Sequence, residues 1–237
     1  MAKYDRLSVY QAFIGTGLVP LFYSGDVSES NAVARAVAEG GAQVLEFTNR
    51  GEKALNVFAE VVNANPKLIV GVGSVLDAPT AALFIAYGAN FIVGPVFNAE
   101  VARLCNRRKI AYMPGCGSAS EISTAEEYGV EIAKVFPGES VGGPGFIKAV
   151  LGPMPWSRLM PTGGVDATKE SIGAWIKAGA VAVGMGSNLV RKEWLTAKNY
   201  DAIRDTTKQC MEWVAAARFW PQSPQALPTV LEITSPL

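Results

Sequence analysis

The sequence Glu131-Ile-Ala-Lys134-Val-Phe-Pro-Gly138 places one lysine among apolar and small residues and ends in a Pro-Gly break. The short length, the β-branched residues and the break predict a buried strand rather than a helix. Because side chains alternate along a strand, Ile132, Lys134 and Phe136 share one face. If both faces of this strand are covered, Lys134 points into the interior of the protein.

Seven other apolar runs resemble this one and occur at a regular spacing. The eight predicted strands are Leu18–Phe22, Gln43–Thr48, Leu68–Val72, Phe91–Val93, Ile110–Met113, Glu131–Phe136, Leu159–Thr162 and Val181–Met185. Their starts lie about 18 to 28 residues apart, which fits one strand and one helix per unit. The repeat therefore predicts an α/β fold, a (β/α)₈ TIM barrel of parallel strands.

The segments around these runs carry helical patterns. Residues 3–16 predict an N-terminal helix, and residues 200–220 predict a long last helix. The expected N-caps of the helices between them are Ser28 or Ser30, Asp77, Ser118 with Glu121 as a capping box, and Asp166. The expected helix ends are Gly88, Gly129 and Gly179.

The pattern divides the chain into one barrel domain and an extension. Residues 1–220 form the predicted barrel domain, and residues 221–237 form a proline-containing C-terminal tail with an apolar centre at Leu227–Ile233. An isolated tail would leave that centre exposed to water, so we expect it to pack on the barrel or on a neighbouring subunit.

Composition excludes several functional classes. The 237 residues include 21 basic and 21 acidic side chains, so the chain lacks the basic surplus of a nucleic-acid or anionic-membrane binder. Three widely spaced cysteines fit reduced thiols, and neither a signal peptide nor a membrane-length apolar run is evident. We therefore expect a cytoplasmic protein with no nucleic-acid and no membrane partner.

The chain contains no histidine. This excludes His-based triads, His-metal sites and His acid–base catalysis, so proton transfer falls to carboxylates, lysine or tyrosine. We expect no metal and no cofactor.

Lys134 is the first candidate for chemistry. Burial disfavours the charged form of a lysine, and a neutral amine in a desolvated pocket can form a Schiff base with a carbonyl. The alternative is a lysine on a solvent-facing edge strand, which a closed barrel does not offer.

The second predicted strand supplies two more candidates at the end where such barrels hold their active sites. Alternation puts Glu46 on the inner face with Val44 and Thr48, where a carboxyl group among apolar residues suits a general acid/base. The alternative for Glu46 is a structural ion pair with a lysine, of which Lys134 is the obvious one. Arg50, at the mouth, is placed to bind a substrate carboxylate in bidentate fashion, or is simply a solvated loop arginine.

Glycine-rich turns follow several predicted strands. The turns after the seventh and eighth strands read Pro161-Thr162-Gly163-Gly164 and Gly184-Met-Gly186-Ser187-Asn188. In barrels of this type such turns cradle a phosphate through backbone N–H groups and the start of a short helix, which we expect at Ser187. The alternative is that tight loops need glycine for conformational reasons alone.

Taken together, these motifs resemble the 2-keto-3-deoxy-6-phosphogluconate (KDPG) / 4-hydroxy-2-oxoglutarate aldolase family over roughly residues 1–220. The matching motifs are Glu46-x-Thr48-x-Arg50, Gly71-x-Gly73-Ser74-Val75-Leu76, Pro114-Gly115, Lys134-x-Phe136-Pro137 and Pro161-Thr162-Gly163-Gly164. The resemblance implies a metal-independent class I aldolase, a carbon–carbon lyase, that cleaves a keto-deoxy sugar acid phosphate to pyruvate and an aldehyde. It also implies a homotrimer.

The resemblance assigns a role to each matching residue. Lys134 would form the Schiff base, Glu46 would act as general acid/base, and Arg50 would bind the pyruvoyl carboxylate. Gly163, Gly164 and Ser187 would bind phosphate. The remaining expected substrate-binding residues are Ser74, Pro95, Phe136, Thr162 and Gly186.

Departures from the family pattern leave the substrate open. Ser74 stands where threonine is usual, and Gly94 stands where serine is common. Residues 141–148 resemble the sister 2-keto-3-deoxy-6-phosphogalactonate aldolases, whereas Thr162 resembles the gluconate type. Two rival functions also stay open: a phosphate-binding barrel isomerase or epimerase without a covalent intermediate, and a non-catalytic sugar-phosphate-binding barrel.

Overall fold

The computed structural model describes residues 2–218. In this part of the chain the strands are β1 (Leu18–Phe22), β2 (Val44–Thr48), β3 (Ile69–Gly73), β4 (Phe91–Val93), β5 (Ala111–Met113), β6 (Gly115–Cys116), β7 (Ala133–Val135), β8 (Leu159–Pro161) and β9 (Val183–Met185). The helices are α1 (Arg6–Thr16), α2 (Val27–Glu39), α3 (Ala54–Ala64), α4 (Ala78–Ala86), α5 (Ala99–Arg108), α6 (Ala119–Glu127), α7 (Gly143–Leu151), α8 (Lys169–Lys177), α9 (Lys192–Thr196) and α10 (Tyr200–Arg218).

The strands form a closed parallel barrel from two sheets. One sheet has the order β5-β4-β3-β2-β1-β9, and the other has the order β6-β7-β8. They join at Pro114, which separates β5 from β6 and whose carbonyl accepts a hydrogen bond from the Lys134 N–H at 2.9 Å. They join again where Thr162, just after β8, bridges Gly184 of β9. The predicted (β/α)₈ barrel is confirmed.

The barrel interior is filled in layers. Val44, Ile132 and Met160 are fully buried in a cluster that also contains residues of α1. Phe13 of α1 meets Phe91 of β4 edge to face, with ring centroids 4.9 Å apart. The N-terminal helix therefore closes the floor of the barrel, so that the polar inner residues lie near the opposite, open end.

Several predicted boundaries differ from the structure. The sixth predicted strand, residues 131–136, is regular only over Ala133–Val135. The fifth, Ile110–Met113, is regular over Ala111–Met113 and is followed after Pro114 by the separate short strand β6, because proline has no N–H for a sheet hydrogen bond. Asp26, rather than Ser28 or Ser30, caps α2, since its carboxylate accepts from the Glu29 N–H at 2.7 Å.

Other helix starts also differ from the predicted ones. Helix α1 begins at Arg6 behind the Asp5 cap rather than at residue 3, and Thr168, rather than Asp166, caps α8. The caps at Asp77 and Ser118 are confirmed. The last helix begins at Tyr200 as predicted and is described to Arg218. The tail of residues 221–237 lies outside the described residues.

Arg218 fixes the last helix to the barrel floor. Its guanidinium donates to the carbonyl of Gly15 at 2.8 Å and to that of Val181 at 2.6 Å. Gly17 leaves the space for it, since a Cβ there would meet the guanidinium. None of the helices described over residues 2–218 combines the length and apolar character needed to cross a membrane.

Candidate active site

Lys134 and Glu46 meet inside the open end of the barrel. Lys134 is only 5% exposed and Glu46 only 1%, so the alternative of a lysine on a solvent-facing edge is wrong. The Lys134 Nζ lies 4.0 Å from the Glu46 Oε1 and 5.0 Å from the centroid of the Phe136 ring. The alternation read from β2 and β7 therefore brings an amine and a carboxylate together in the interior.

The protein does not satisfy all the hydrogen-bonding groups of the Lys134–Glu46 pair. A distance of 4.0 Å is longer than a hydrogen bond, and Glu46 Oε2 has no hydrogen-bond partner among the described residues. A buried ion pair that served stability alone would need close geometry and further hydrogen bonds to offset its desolvation. The long separation instead leaves the Lys134 amine and the Glu46 carboxylate able to bind a small molecule.

A third buried polar group lies on the neighbouring strand end. Thr162 is 6% exposed, and its Oγ1 also lacks a partner in the described part of the chain. Its N–H donates to the Val135 carbonyl at 3.0 Å, which ties the end of β8 to β7. A Cβ on Gly184 would lie 2.3 Å from Thr162 Oγ1, so the hydroxyl lies against the neighbouring strand β9.

Phe136 and Pro95 lie at the rim of this chamber. Both are half-buried, and the Phe136-Pro137 peptide bond is cis. The Pro95 carbonyl lies against Gly115, where a Cβ would come within 2.0 Å of its oxygen. Phe136 thus covers the lysine directly, while Pro95 contacts the start of β6.

Arg50 and Ser74 form a second group at the mouth. The Arg50 Nε donates to the Ser74 Oγ at 3.1 Å, and Arg50 itself is exposed. Ser74 holds a left-handed backbone conformation with φ of 61°, which is uncommon for a residue other than glycine. Two neighbouring strand ends therefore present one guanidinium and one hydroxyl, a pairing that can bind a carboxylate.

The glycine turns after β8 and β9 are held together by Asn188. The Asn188 Nδ2 donates to the Val165 carbonyl at 3.0 Å and to the Asp166 Oδ1 at 2.8 Å. Gly163 and Gly164 have φ values of 88° and 82°, which favour glycine. The expected short helix at Ser187 is wrong: the segment is a turn in which the Gly186 carbonyl accepts from Leu189 and Val190.

Acidic side chains border these turns. Glu139 packs against Gly164, where a Cβ would lie 2.2 Å from the Glu139 Cβ, and its N–H donates to the Gly163 carbonyl at 3.0 Å. Asp166 follows on the same turn. An anion bound here would have to be attracted by backbone N–H groups, although acidic residues border the turns.

Three features of the site were not assigned from the sequence. These are the link through Asn188, the packing of the Glu139 side chain against Gly164, and the fit of Glu46 against Gly73. The only available signal was position, because each residue belongs to the polar or glycine-rich segment that follows a strand. The described part of the chain holds no group of three or more His, Cys, Asp or Glu side chains placed to bind a metal ion.

A family model, described as KDPG and KHG aldolase, matches residues 11–206. The chain belongs to this aldolase family. It is therefore grouped with carbon–carbon lyases, and the family resemblance of the strand-end motifs is confirmed.

Individual relatives of this family match almost the whole barrel. The 2-dehydro-3-deoxy-phosphogluconate aldolase of Pseudoalteromonas atlantica is 32% identical over 215 residues, which cover 91% of this chain and 99% of the relative. A KDPG aldolase from Legionella pneumophila, solved with pyruvate captured as a covalent carbinolamine, has a TM-score of 0.77 and 27% identity, covering 85% of this chain and 95% of its own. A native KDPGal structure gives a TM-score of 0.77 and 26% identity, with coverage of 84% and 95%.

Proposed function

We propose that this aldolase-family chain cleaves 2-keto-3-deoxy-6-phosphogluconate to pyruvate and glyceraldehyde 3-phosphate through a Schiff base on Lys134. The observation that carries the proposal is the buried pair itself, with the Lys134 Nζ 4.0 Å from the Glu46 Oε1 and neither side chain held by tight hydrogen bonds to the other. The carbinolamine captured in the Legionella relative supports the same covalent chemistry.

The reaction begins at the ketone. The neutral amine of Lys134 attacks C2, and loss of water from the carbinolamine leaves an iminium. The iminium accepts the electron pair that is released when the C3–C4 bond breaks, so the step requires no metal to act as electron sink. The Phe136 ring, 5.0 Å from the Nζ, favours the cationic iminium nitrogen through its π face.

Glu46 moves the protons. Directly or through one water, its carboxylate accepts the proton of the C4 hydroxyl as that carbon becomes the aldehyde carbon of glyceraldehyde 3-phosphate. The enamine left on Lys134 then takes a proton at C3, which returns the iminium. Water adds to C2, pyruvate leaves, and the amine is restored.

The substrate is bound at its two ends. We assign the carboxylate of the substrate to Arg50 and Ser74, whose hydrogen bond joins the segments that follow β2 and β3. We assign the phosphate to the turns that carry Gly163, Gly164, Gly186 and Ser187. Phe136, Pro95 and Thr162 then line the carbons between the two ends.

Borohydride trapping tests the proposal. Pyruvate with borohydride should add one reduced pyruvoyl group to the wild-type chain, and peptide mass mapping should place it on Lys134. The Lys134→Met variant should take up none. Labelling that survives this substitution would place the Schiff base elsewhere and refute the assignment.

Two other substrates are alternatives within the same chemistry. A KDPGal structure is among the relatives at 26% identity, and residues 141–148 resemble that sister group. Specificity constants for KDPG, its galactonate epimer and 4-hydroxy-2-oxoglutarate, measured on one preparation, should rank KDPG first. A chain that binds sugar phosphates but neither traps pyruvate nor turns over any of the three would be the non-catalytic binding barrel.

We also propose that the enzyme works as a homotrimer in the cytoplasm. The proposal follows the family resemblance and the apolar tail segment Leu227–Ile233. Light scattering on the full chain should give three times the 25.1 kDa chain mass. A monomer would contradict the trimer without affecting the Schiff-base chemistry.

A further inference from the structure

We infer that Gly73 is a positioning residue for the general acid/base: it is glycine because the carboxylate of Glu46 occupies the space that a side chain at this position would take. A Cβ built on Gly73 would lie 1.8 Å from the Glu46 Oε1, 2.5 Å from its Cδ and 2.8 Å from its Cγ. The inference rests on the role proposed for Glu46.

Backbone conformation does not explain this glycine. Gly73 is the last residue of β3, and it is absent from the set of glycines with positive φ. Alanine can adopt the same strand conformation without strain. Gly163 and Gly164 differ in this respect, because their φ values of 88° and 82° disfavour any other residue.

The surroundings of Gly73 single out one side chain. The three atoms nearest to a Cβ at this position would all belong to Glu46, whereas those nearest to a Cβ on Gly71 would all belong to the Phe91 ring. Successive inward positions of β3 thus leave room for a core ring below and for a carboxylate above. Gly71 therefore makes room for the apolar core, and Gly73 makes room for the carboxylate of the proposed active site.

The contact also fixes which oxygen faces the lysine. Oε1 is the atom that lies over Gly73, and the same Oε1 lies 4.0 Å from the Lys134 Nζ. A methyl group on residue 73 would occupy the place of the oxygen nearest to the amine. Since the carboxylate is the end of a flexible side chain, it can rotate away, so the fold should survive while the catalytic geometry does not.

Pyruvate alone provides a suitable assay. The Schiff base of pyruvate on Lys134 gives up a methyl proton to Glu46 and forms the enamine, and reprotonation in D₂O incorporates deuterium. Exchange therefore needs both residues, whereas borohydride trapping needs only Lys134. In Gly73→Ala we expect trapping within about twofold of wild type and exchange slowed by about 10²-fold, the lower end of general acid–base contributions.

Controls separate positioning from a general effect on β3. Gly117→Ala adds a methyl at the same end of the barrel with a nearest contact of 3.4 Å to Val141, and it should behave as wild type. In a Glu46→Ala background, Gly73→Ala should slow residual exchange no further. The melting temperature should fall on Gly73→Ala in the wild type but not in the Glu46→Ala background, because the collision is then absent.

The outcomes are distinct. Wild-type exchange in Gly73→Ala would overturn the inference. So would equal loss of trapping and exchange, or a fall in melting temperature that persists without Glu46, since each would indicate a structural role for the strand end. If the wild-type chain itself neither traps nor exchanges pyruvate, the proposed function fails, and the melting-temperature cycle still decides whether Gly73 makes room for Glu46.

Discussion

At the scale of single residues, we expect turnover to depend on the buried Lys134–Glu46 pair, whose nearest atoms lie 4.0 Å apart. Glu46→Gln removes the proposed proton acceptor but keeps the size of the side chain. We expect this variant to retain borohydride trapping at Lys134 while its cleavage of KDPG falls by about 10²–10⁴-fold. Normal turnover in Glu46→Gln would reduce Glu46 to a structural partner of the lysine.

Thr162 offers a second test at this scale, because its buried hydroxyl has no partner in the described part of the chain. Replacing an unpaired hydroxyl by a methyl is neutral or stabilising for the fold. Thr162→Val should therefore keep or raise the melting temperature, yet lower the turnover of KDPG by about tenfold, on the scale of one lost hydrogen bond.

Thr162→Ser is the matched control, since it keeps the hydroxyl and should keep most of the activity. Calorimetric melting and steady-state kinetics on the same samples compare the two variants. A destabilised but fully active Thr162→Val would show that the hydroxyl serves the fold and not the substrate.

At the scale of elements, the turns after β8 and β9 should bind the phosphate end of the substrate. Gly163→Val strains a backbone with φ of 88° and adds bulk to the turn. We expect a KM for KDPG raised at least about tenfold, with pyruvate trapping at Lys134 unchanged. The unphosphorylated substrate 4-hydroxy-2-oxoglutarate should keep its KM.

Gly145→Val on α7 is the control, because a Cβ at Gly145 would meet no atom within 4 Å apart from its chain neighbours and the nearby backbone of its own helix. If Gly163→Val weakens KDPG cleavage and pyruvate trapping equally, the glycines only shape the loop. The phosphate would then bind elsewhere.

The strands and turns differ in how well their contacts can be predicted from the sequence. Alternation along β2 and β7 was enough to bring Glu46 and Lys134 to the same chamber, because a strand fixes side-chain direction with a period of two. The link through Asn188 could not be predicted in this way, since loop contacts depend on which turns become neighbours when the barrel closes.

Gly73 illustrates a second limit. A sequence shows that a side chain is missing, but it does not show which neighbour takes the space, so only the folded structure assigns that space to Glu46. The sequence shows Pro114 directly after the fifth predicted strand, but it does not show that a short strand β6 follows. The division of one barrel strand between two sheets depends on the pairing of β5 with β4 and of β6 with β7.

At the scale of the whole molecule, the closed barrel and its helices shield the three thiols from solvent. Cys105, Cys116 and Cys210 are buried, and burial raises the pKa of each to about 12. Because the thiolate is the reactive form, we expect a thiol reagent at pH 8 to modify none of them in the native protein.

Unfolding in denaturant should release three reactive thiols per chain, the full cysteine count. Absorbance titration with a disulfide reagent, before and after unfolding, gives both numbers. Rapid modification of a native thiol would indicate that the helical layer opens on the time scale of the assay.

The hydrogen bonds of Arg218 at the floor of the barrel have a practical consequence for immobilising this enzyme on a surface. Lys3 donates to Asn90 ahead of β4, and Arg218 donates to Gly15 and Val181, so the described chain both enters and leaves at the floor of the barrel. A tether joined near either of these points starts on the side opposite Lys134. The mouth, where substrate must enter and aldehyde must depart, faces away from such an anchor.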